Sequence, residues 1–471
     1  MDENTIFQPQ PVVGTEARQP EVLVQNPIVP LAPSELSSYP PPSLLFKILK
    51  IALGIVIVAA IILLIFNFVL PKLFPSKINK VTLTYWGLWE DPSVYAAIIS
   101  DFEKEHPNIK INYSNQNIKE YWERLITRSN NGNGPDIFRF HNTWVSQLSG
   151  FLLPLPVSTI SKEDFDKNYY PVVKKDLVKN GAIYGIPLQM DTLNLYINKD
   201  LFQAAGLKAP TNWIEFGNTS RQLTVKDENN NIKTAGVALG TYSNITHAPD
   251  IISMLFAQNG VNLEDIASDI QATSDALNFY SSFASSQSNV WDNTLDSSIK
   301  MFASGSLAMY FGYSWDFFII KSINPNLSFD IYPVPSLPGR DITVASYWAE
   351  GVSSKSTHQK EALLFIKYLT LKETEQRLFT QESKVRNFGE PYARMELAES
   401  LKNSVAYPFV ANAKQAVSSF FVDGTYDKGL NSQMNTYLSK AVDSILEGTS
   451  PQSAAETLSD GVTQVLKQYG Q

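Results

Sequence analysis

Between Ile51 and Leu70 the chain reads IALGIVIVAAIILLIFNFVL, with Asn67 its only polar side chain. Twenty helical residues at about 1.5 Å each reach roughly 30 Å, the thickness of a bilayer's hydrocarbon core. The run therefore predicts a membrane-spanning helix, closed by Pro71 and Lys72, and we place the whole segment at 44–72. A cleaved signal peptide has a shorter apolar stretch near its start and a small-residue cleavage site. Here roughly fifty residues precede the run and bulky ones follow it, which predicts a retained span. Lysines flank both ends (Lys47 and Lys50; Lys72, Lys77 and Lys80), so charge bias gives no orientation.

Ahead of this helix, residues 1–43 hold nine of the 27 prolines, between Pro9 and Pro42, and show no hydrophobic period. Such a segment buries too little apolar surface to offset its ordering entropy, so a disordered tail is expected. Residues 73–78 read as a linker. The remainder is long enough for two packed units of ordinary domain size.

Composition excludes several functions. A net charge of −8 supplies no basic field for a phosphate backbone, so no nucleic-acid partner is expected. The absence of cysteine removes disulfides, thiolate metal sites, thiol nucleophiles and lipid attachment through a cysteine. Four histidines (His106, His141, His247, His358) lie far apart, so neither a metal nor another cofactor is expected.

Beyond the linker, strands alternate with helices. Lys80 to Trp86 is a β-branched and aromatic strand, and Asp91-Pro92 starts a helix that ends before Pro107. A strand follows at Ile109 to Tyr113, a helix at Ile118 to Ser129 and a strand at Asp136 to Phe140. This alternation predicts an α/β layer with a mainly parallel sheet. Strands are also expected at Thr192 to Ile197 and Gly236 to Leu239, with a helix at Asp200 to Ala205 ended by Gly206. Asn212 and Glu215 are spaced as a capping box, and Asp227 to Asn231 reads as a hairpin tip. Long amphipathic helices are expected at Asn431 to Leu446 and Ala454 to Tyr469.

The stretch Tyr184 to Phe216 carries Gly185-x-Pro187, Tyr196-x-Asn198-Lys199-Asp200-Leu201-Phe202, Ala205-Gly206-Leu207 and Pro210…Trp213-x-Glu215. Phe102-Glu103-x-x-His106-Pro107, Pro135-Asp136-Ile137, Met301-Phe302-Ala303-Ser304-Gly305…Ala308-Met309…Gly312-x-x-Trp315 and Pro333-x-Pro335 accompany it in order. This ordered set, from about Ile78 to Gln471, resembles extracellular solute-binding proteins of the carbohydrate-uptake (family 1) type, which feed ABC transporters. The resemblance implies a two-lobed periplasmic-binding-protein-like clamshell of α/β lobes with three interlobe crossings. Mapped onto this chain, the crossings fall near Pro187 to Asp191, Tyr332 to Pro335 and Glu382 to Asn387. One lobe would combine 79–188 with 335–380, the other 189–334 with 381–471. The usual anchor of such proteins is an N-terminal lipidated cysteine or none; here the apolar helix would tether the binder.

A sugar presents hydroxyl rims and apolar C–H faces, so its site needs flat aromatic surfaces and planar polar groups. The resemblance places that site between the lobes. At the end of the first strand, Trp86 and Trp89 are candidate stacking surfaces and Glu90 a hydroxyl acceptor, while Asp91 caps the helix. Arg139, His141 and Asn142 are candidate rim contacts at a position where relatives often carry an aspartate. Gln189 and Asp191 fall at the first crossing, with a hinge-stabilising carboxylate as the alternative for Asp191. Tyr242, Asn244, Tyr313, Trp348 and Glu350 are further candidates, and Trp315 is the foremost. Arg386 is a ligand contact or a hinge salt bridge. Trp122 and Trp213 fit helix cores, and Trp291 stays open between the two roles.

The expected function is a membrane-anchored extracytoplasmic binder that delivers a mono- or oligosaccharide to an ABC transporter permease. Its tail would be cytoplasmic and its large C-terminal part outside. Two rivals remain: a glycan-sensing or adhesion receptor built on the same clamshell, and a glycan-acting enzyme using Glu90 with Asp191 or Glu350. Adjacent Tyr169-Tyr170 would point apart in an extended stretch, which argues against an iron site.

Overall fold

The computed structural model describes residues 43–69, 80–285 and 289–470. Nearly all of the expected tail, Pro71, Lys72 and the 73–78 linker lie outside the described residues. The described residues fall into two units, divided between Lys77 and Ile78.

In the first unit, helix α1 (Leu44–Leu64) continues into a π-helical turn at Ile65–Val69. Within Leu44–Phe68 an 18-residue window reaches a mean hydropathy of 3.1 with none of it buried, and the stretch is long and apolar enough to cross a membrane. Asn67 donates its amide to the Leu63 carbonyl at 2.9 Å, which pairs one polar group of the run within the helix itself.

The second unit begins with strand β1 (Val81–Leu88), whose Leu83 and Tyr85 point into a core. Asp91 accepts from Ser93 N at 2.9 Å and so caps helix α2 (Pro92–Glu105), with proline at its first position. Strand β2 (Ile109–Gln116), helix α3 (Ile118–Asn130) and strand β3 (Ile137–His141) follow. Both β2 and β3 lie parallel to β1, as the alternation predicts. Helix α4 (Pro171–Leu177), β4 (Ile186–Pro187), β5 (Asp191–Thr192) and β6 (Asn194–Asn198) come next. Beyond these lie helix α5 (Trp213–Leu223) and the hairpin β7 (Val225–Lys226) and β8 (Ile232–Val237). Its tip is held by Asp227, which accepts from Asn229 N and Asn231 N.

Helix α6 (Ala248–Gln258), β9 (Leu307–Gly312), helix α7 (Ser314–Ile323), β10 (Phe329–Tyr332), β11 (Thr343–Ser346) and β12 (Trp348–Val352) complete the sheets, apart from β13 (Ala416–Val417). Helices α8 (Lys372–Glu382), α9 (Leu430–Leu446) and α10 (Pro451–Gln468) cover them.

The first sheet has the order β2-β1-β3-β12-β4 and the second β10-β6-β9-β8-β7. The first is mainly parallel in strand direction, as expected, and the second is mainly antiparallel. In the first, β2, β1, β3 and β4 run the same way and β12 alone opposes them, antiparallel to both β3 and β4, while β8–β9 is the one parallel pair of the second. The reason is connectivity: β12 re-enters the first sheet from the other lobe, and β7–β8 is a hairpin.

Two separate cores mark the two lobes. One gathers Tyr85, Phe102, Tyr121, Phe140 and Phe365; the other gathers Tyr196, Phe216, Tyr280, Phe302 and Leu438. Membership changes between Met190 and Leu193, between Val344 and Ala345, and between Ala416 and Phe421, with Phe409 alone of the preceding segment packing in the second core. The second and third changes come later than Tyr332 to Pro335 and Glu382 to Asn387. Val334 still packs in the second core, where Gln258 Nε2 donates to Pro335 O at 3.1 Å, and Phe388 and Leu397 still pack in the first. The strands at these changes pair with one another as a small sheet, β13-β11-β5. That sheet is the hinge.

Candidate functional site: the seam between the lobes

The first wall grows from the ends of β1, β3 and β12. Gly87 is required in β1, because a Cβ there would meet the Tyr113 ring at 2.5 Å. Two residues later Trp89 adopts a left-handed backbone (φ 61°) and stands 55% exposed. That conformation is uncommon for a bulky residue and marks a strained position. Trp89 meets Trp348 edge-on at 5.1 Å, and Trp348 in turn meets His141 and Trp144, each at 5.0 Å. Trp86 turns away and lies half-buried beside Tyr121.

Under this aromatic wall, Arg139 is buried between two carboxylates. Its Nη1 donates to Glu90 Oε2 at 2.6 Å and its Nε to Glu350 Oε1 at 2.7 Å, while Nη2 donates to Tyr95 OH at 2.8 Å. The β12–β3 register, which sets Glu350 opposite Arg139, makes the second pair unavoidable. Burial pushes the Glu350 carboxyl up, opposed by Arg139. Glu90, Arg139 and Glu350, expected as ligand contacts, are thus occupied by one another. Nor do Glu90 and Glu350 frame a space for a glycosidic bond, since the guanidinium fills it.

His141 is also enclosed. Burial pushes its pKa down to about 3, so the ring is neutral, 2.8 Å from Thr143 Oγ1 and 3.2 Å from Ser346 Oγ. Asn142 donates to Asp176 Oδ2 at 2.8 Å, and Asp176 also accepts from Tyr347 OH and Ser418 Oγ.

The second wall lies at the N-terminus of α7. Trp315 stacks on Tyr313, with ring centroids 4.4 Å apart and planes 20° apart, and meets His247 edge-on at 6.0 Å. Trp315 remains half-buried, whereas Tyr313 is enclosed and donates its hydroxyl to Asp250 Oδ1 at 2.7 Å. His247 is held between Asp316 (2.8 Å) and Asp423 (3.4 Å). Burial opposes protonation of His247, but the two carboxylates prevail and hold its pKa well above the usual range, so it is an imidazolium. Asp250 is pushed up to about 6 by burial. Tyr242 is half-buried. Asn244 is structural: it donates to Asp292 O and Leu295 O and accepts from Trp291 Nε1 at 3.1 Å. That bond assigns Trp291 to the core.

At the hinge, Asp191 Oδ2 accepts from Ser314 N at 2.8 Å, placing a carboxyl at the positive end of α7. Its Oδ1 is buried with no partner, and burial together with Glu390 raises its pKa well above the usual range. Arg386 donates to Glu390 Oε1 at 2.7 Å, pairs with Glu382 at 3.0 Å and lies over the Phe318 ring. Gln189 donates to Glu382, and Ser314 Oγ donates to Glu390 Oε2 at 3.0 Å. Gln189, Asp191 and Arg386 therefore tie the lobes together at the hinge, where Asp191 Oδ1 and the Arg386 Nε and Nη2 are buried without hydrogen-bond partners.

Burial raises Glu382 to about 8, so the folded state holds a proton there that the unfolded chain releases near 4.5. Its contribution is complete below about pH 4.5 and is lost as pH rises through about 8. Glu382→Gln should flatten this part of the pH profile of stability, measured as urea midpoints from pH 4 to 9.

Across the seam, Thr143 Oγ1 donates to Asn431 Oδ1 at 2.9 Å, and Lys428–Glu123 and Lys175–Glu264 pair at 2.8 and 3.0 Å. A space of about 40 Å³ beside Asn142, Asp176, Leu263 and Ser418 lies in this seam, room for water but not for a sugar. No cluster of side chains suited to a metal ion occurs among the described residues. Sequence reasoning missed His247, Asp250, Asp316, Asp423, Glu382 and Glu390. Of these, Asp316 alone adjoined a recognised motif.

Residues 86–376 match the family described as bacterial extracellular solute-binding protein. The multiple sugar-binding protein of Streptococcus mutans is 27% identical over 371 residues, covering 76% of this chain and 84% of that protein. A solute-binding protein of an ABC transporter from Thermotoga lettingae, bound with α-D-tagatose, superposes with a TM-score of 0.65 at 22% identity, covering 82% of this chain and all (100%) of that one. A cyclo/maltodextrin-binding protein complexed with maltotetraose gives 0.67 at 17% identity, covering 82% and 97%. These structures share the fold of the second unit. With a family match spanning most of that unit and both cores arranged around one hinge sheet, the chain belongs to the bacterial extracellular solute-binding protein family.

Proposed function

We propose that this protein is a membrane-anchored, extracytoplasmic solute-binding protein that captures a mono- or oligosaccharide by lobe closure and presents it to an ABC transporter permease. One feature supports the reading: incompletely buried indoles accompany both cores, Trp89 and Trp348 with the first and Trp315 with the second. Indole faces suit the C–H faces of a sugar ring, and the exposed Asp423 carboxylate is an acceptor for its hydroxyls. A ligand touching both walls stabilises the closed form over the open one, and that differential affinity drives closure. The bound solute names of the relatives above agree with a saccharide.

The anchor in this reading is α1. A membrane helix holds effectively irreversibly, which keeps the binder near its permease with the tail in the cytoplasm. No bond of the solute is broken. The full-length protein in lipid nanodiscs should be stabilised saturably by at least one member of a panel containing tagatose, maltotetraose and mannobiose, without release of reducing ends. Steady turnover would instead support the enzyme reading.

A further inference from the structure

Asp250 is wholly buried in the first turn of α6, and its two oxygens serve different elements. Oδ1 accepts from the hydroxyl of Tyr313 at 2.7 Å, the ring on which Trp315 stacks. Oδ2 accepts from Asp423 N at 2.9 Å. One carboxylate thus joins the second aromatic wall to the segment that begins at Asp423.

That segment, 423–431, is strained and braced. Gly424, Tyr426 and Lys428 all take a left-handed backbone (φ 73°, 51° and 49°), and two of the three carry side chains. Such a run persists only where its surroundings over-determine it. Asp427 supplies the brace: fully buried, it accepts from Asn431 N at 2.9 Å, Ser432 N at 3.1 Å and Ser432 Oγ at 2.9 Å.

From this braced loop four contacts cross to the first lobe. Lys428 pairs with Glu123 at 2.8 Å, and Thr143 Oγ1 donates to Asn431 Oδ1 at 2.9 Å. Gln147 makes the other two, donating from Nε2 to Asp427 Oδ2 at 3.3 Å and accepting at Oε1 from Leu430 N at 3.4 Å. The approach is close, since a Cβ on Gly429 would meet Gln147 Oε1 at 2.6 Å.

We infer that Asp250 is a positioning residue for ligand capture: it fixes the Tyr313–Trp315 wall and the Asp423–Asn431 loop as one piece, so that a ligand seated against Trp315 is coupled to the contacts holding the loop on the first lobe. This rests on the lobe-closure reading above and adds the route by which occupancy of one wall reaches the opposite lobe.

The chain holds no cysteine, so Lys119→Cys and Lys440→Cys, exposed and on opposite lobes, take spin labels at defined positions in the full-length protein in nanodiscs. Interlobe distances and titrations with tagatose, maltotetraose and mannobiose are compared for four labelled proteins: the parent, Asp250→Leu, the first-lobe pair Glu123→Gln with Gln147→Leu, and the combination. The first-lobe pair should lengthen the interlobe distance and weaken binding about fivefold, and Asp250→Leu should do the same about tenfold. Combined, they should fall short of the roughly fiftyfold product by about fivefold or more, because both act through the loop. Full multiplication of the two effects, or an Asp250→Leu protein with the parent's distances, overturns the coupling. Should Asp250→Leu not fold, Tyr313→Phe removes the wall-side hydroxyl alone and is held to the same criterion. If no sugar changes the distance in the parent, the saccharide reading fails, while the distances in the unliganded variants still decide the role of Asp250.

Discussion

Arg139→Leu should destabilise the protein by about 3–5 kcal/mol, because it leaves two carboxylates buried without their shared cation. Glu90 and Glu350 lie 2.6 and 2.7 Å from the guanidinium, and Glu350 Oε2 already lacks a partner. Around them Tyr85, Tyr95, Tyr113 and Tyr121 pack closely and admit no reorganisation that would hydrate the orphaned charges. Arg139→Lys keeps the charge but not the fork that reaches both acids, so an intermediate loss is expected. The combined variant Arg139→Leu, Glu90→Gln, Glu350→Leu should recover much of the stability, since it removes the charges together. Urea midpoints followed by tryptophan fluorescence separate these cases. A single Arg139→Leu variant as stable as the parent would mean that the triad is hydrated and open to ligand after all.

The triad also shows what could be read from the sequence and what could not. Local chemistry was legible: Asp91-Pro92 caps α2, Gly206 ends its helix in a left-handed conformation (φ 68°), and Asp227 braces the β7–β8 tip. The Asn212–Glu215 box was half legible. Asn212 accepts from Glu215 N at 3.0 Å, but the Glu215 carboxylate turns to Thr211 N and Oγ1 instead of closing the box. Arg139 and Glu350 are 211 residues apart, and no local pattern couples them. At a strand end, a buried ion pair and a ligand contact have the same sequence signature. The hinge was hidden for a related reason: β5 and β13 are two residues long, too short to carry a period. The backbone placement of Trp315 was legible because its motif, Gly312-x-x-Trp315, fixes a strand end followed by a helix start.

Trp315→Ala should weaken saccharide binding by about thirtyfold or more while leaving the fold intact. A central aromatic anchor is worth about 2 kcal/mol or more on truncation. Stability should change little by comparison, because Trp315 is half-buried and its main packing partner, Tyr313, is held independently by Asp250. Trp315→Phe keeps a flat face and should retain part of the affinity. Calorimetric titration of the full-length parent and Trp315→Ala proteins in nanodiscs, with whichever neutral saccharide stabilises the parent most, measures this directly. Saturable binding by the parent that is lost in the variant, at matched melting temperatures, is the predicted result; equal affinity in both proteins would contradict capture of a sugar against that indole at the seam.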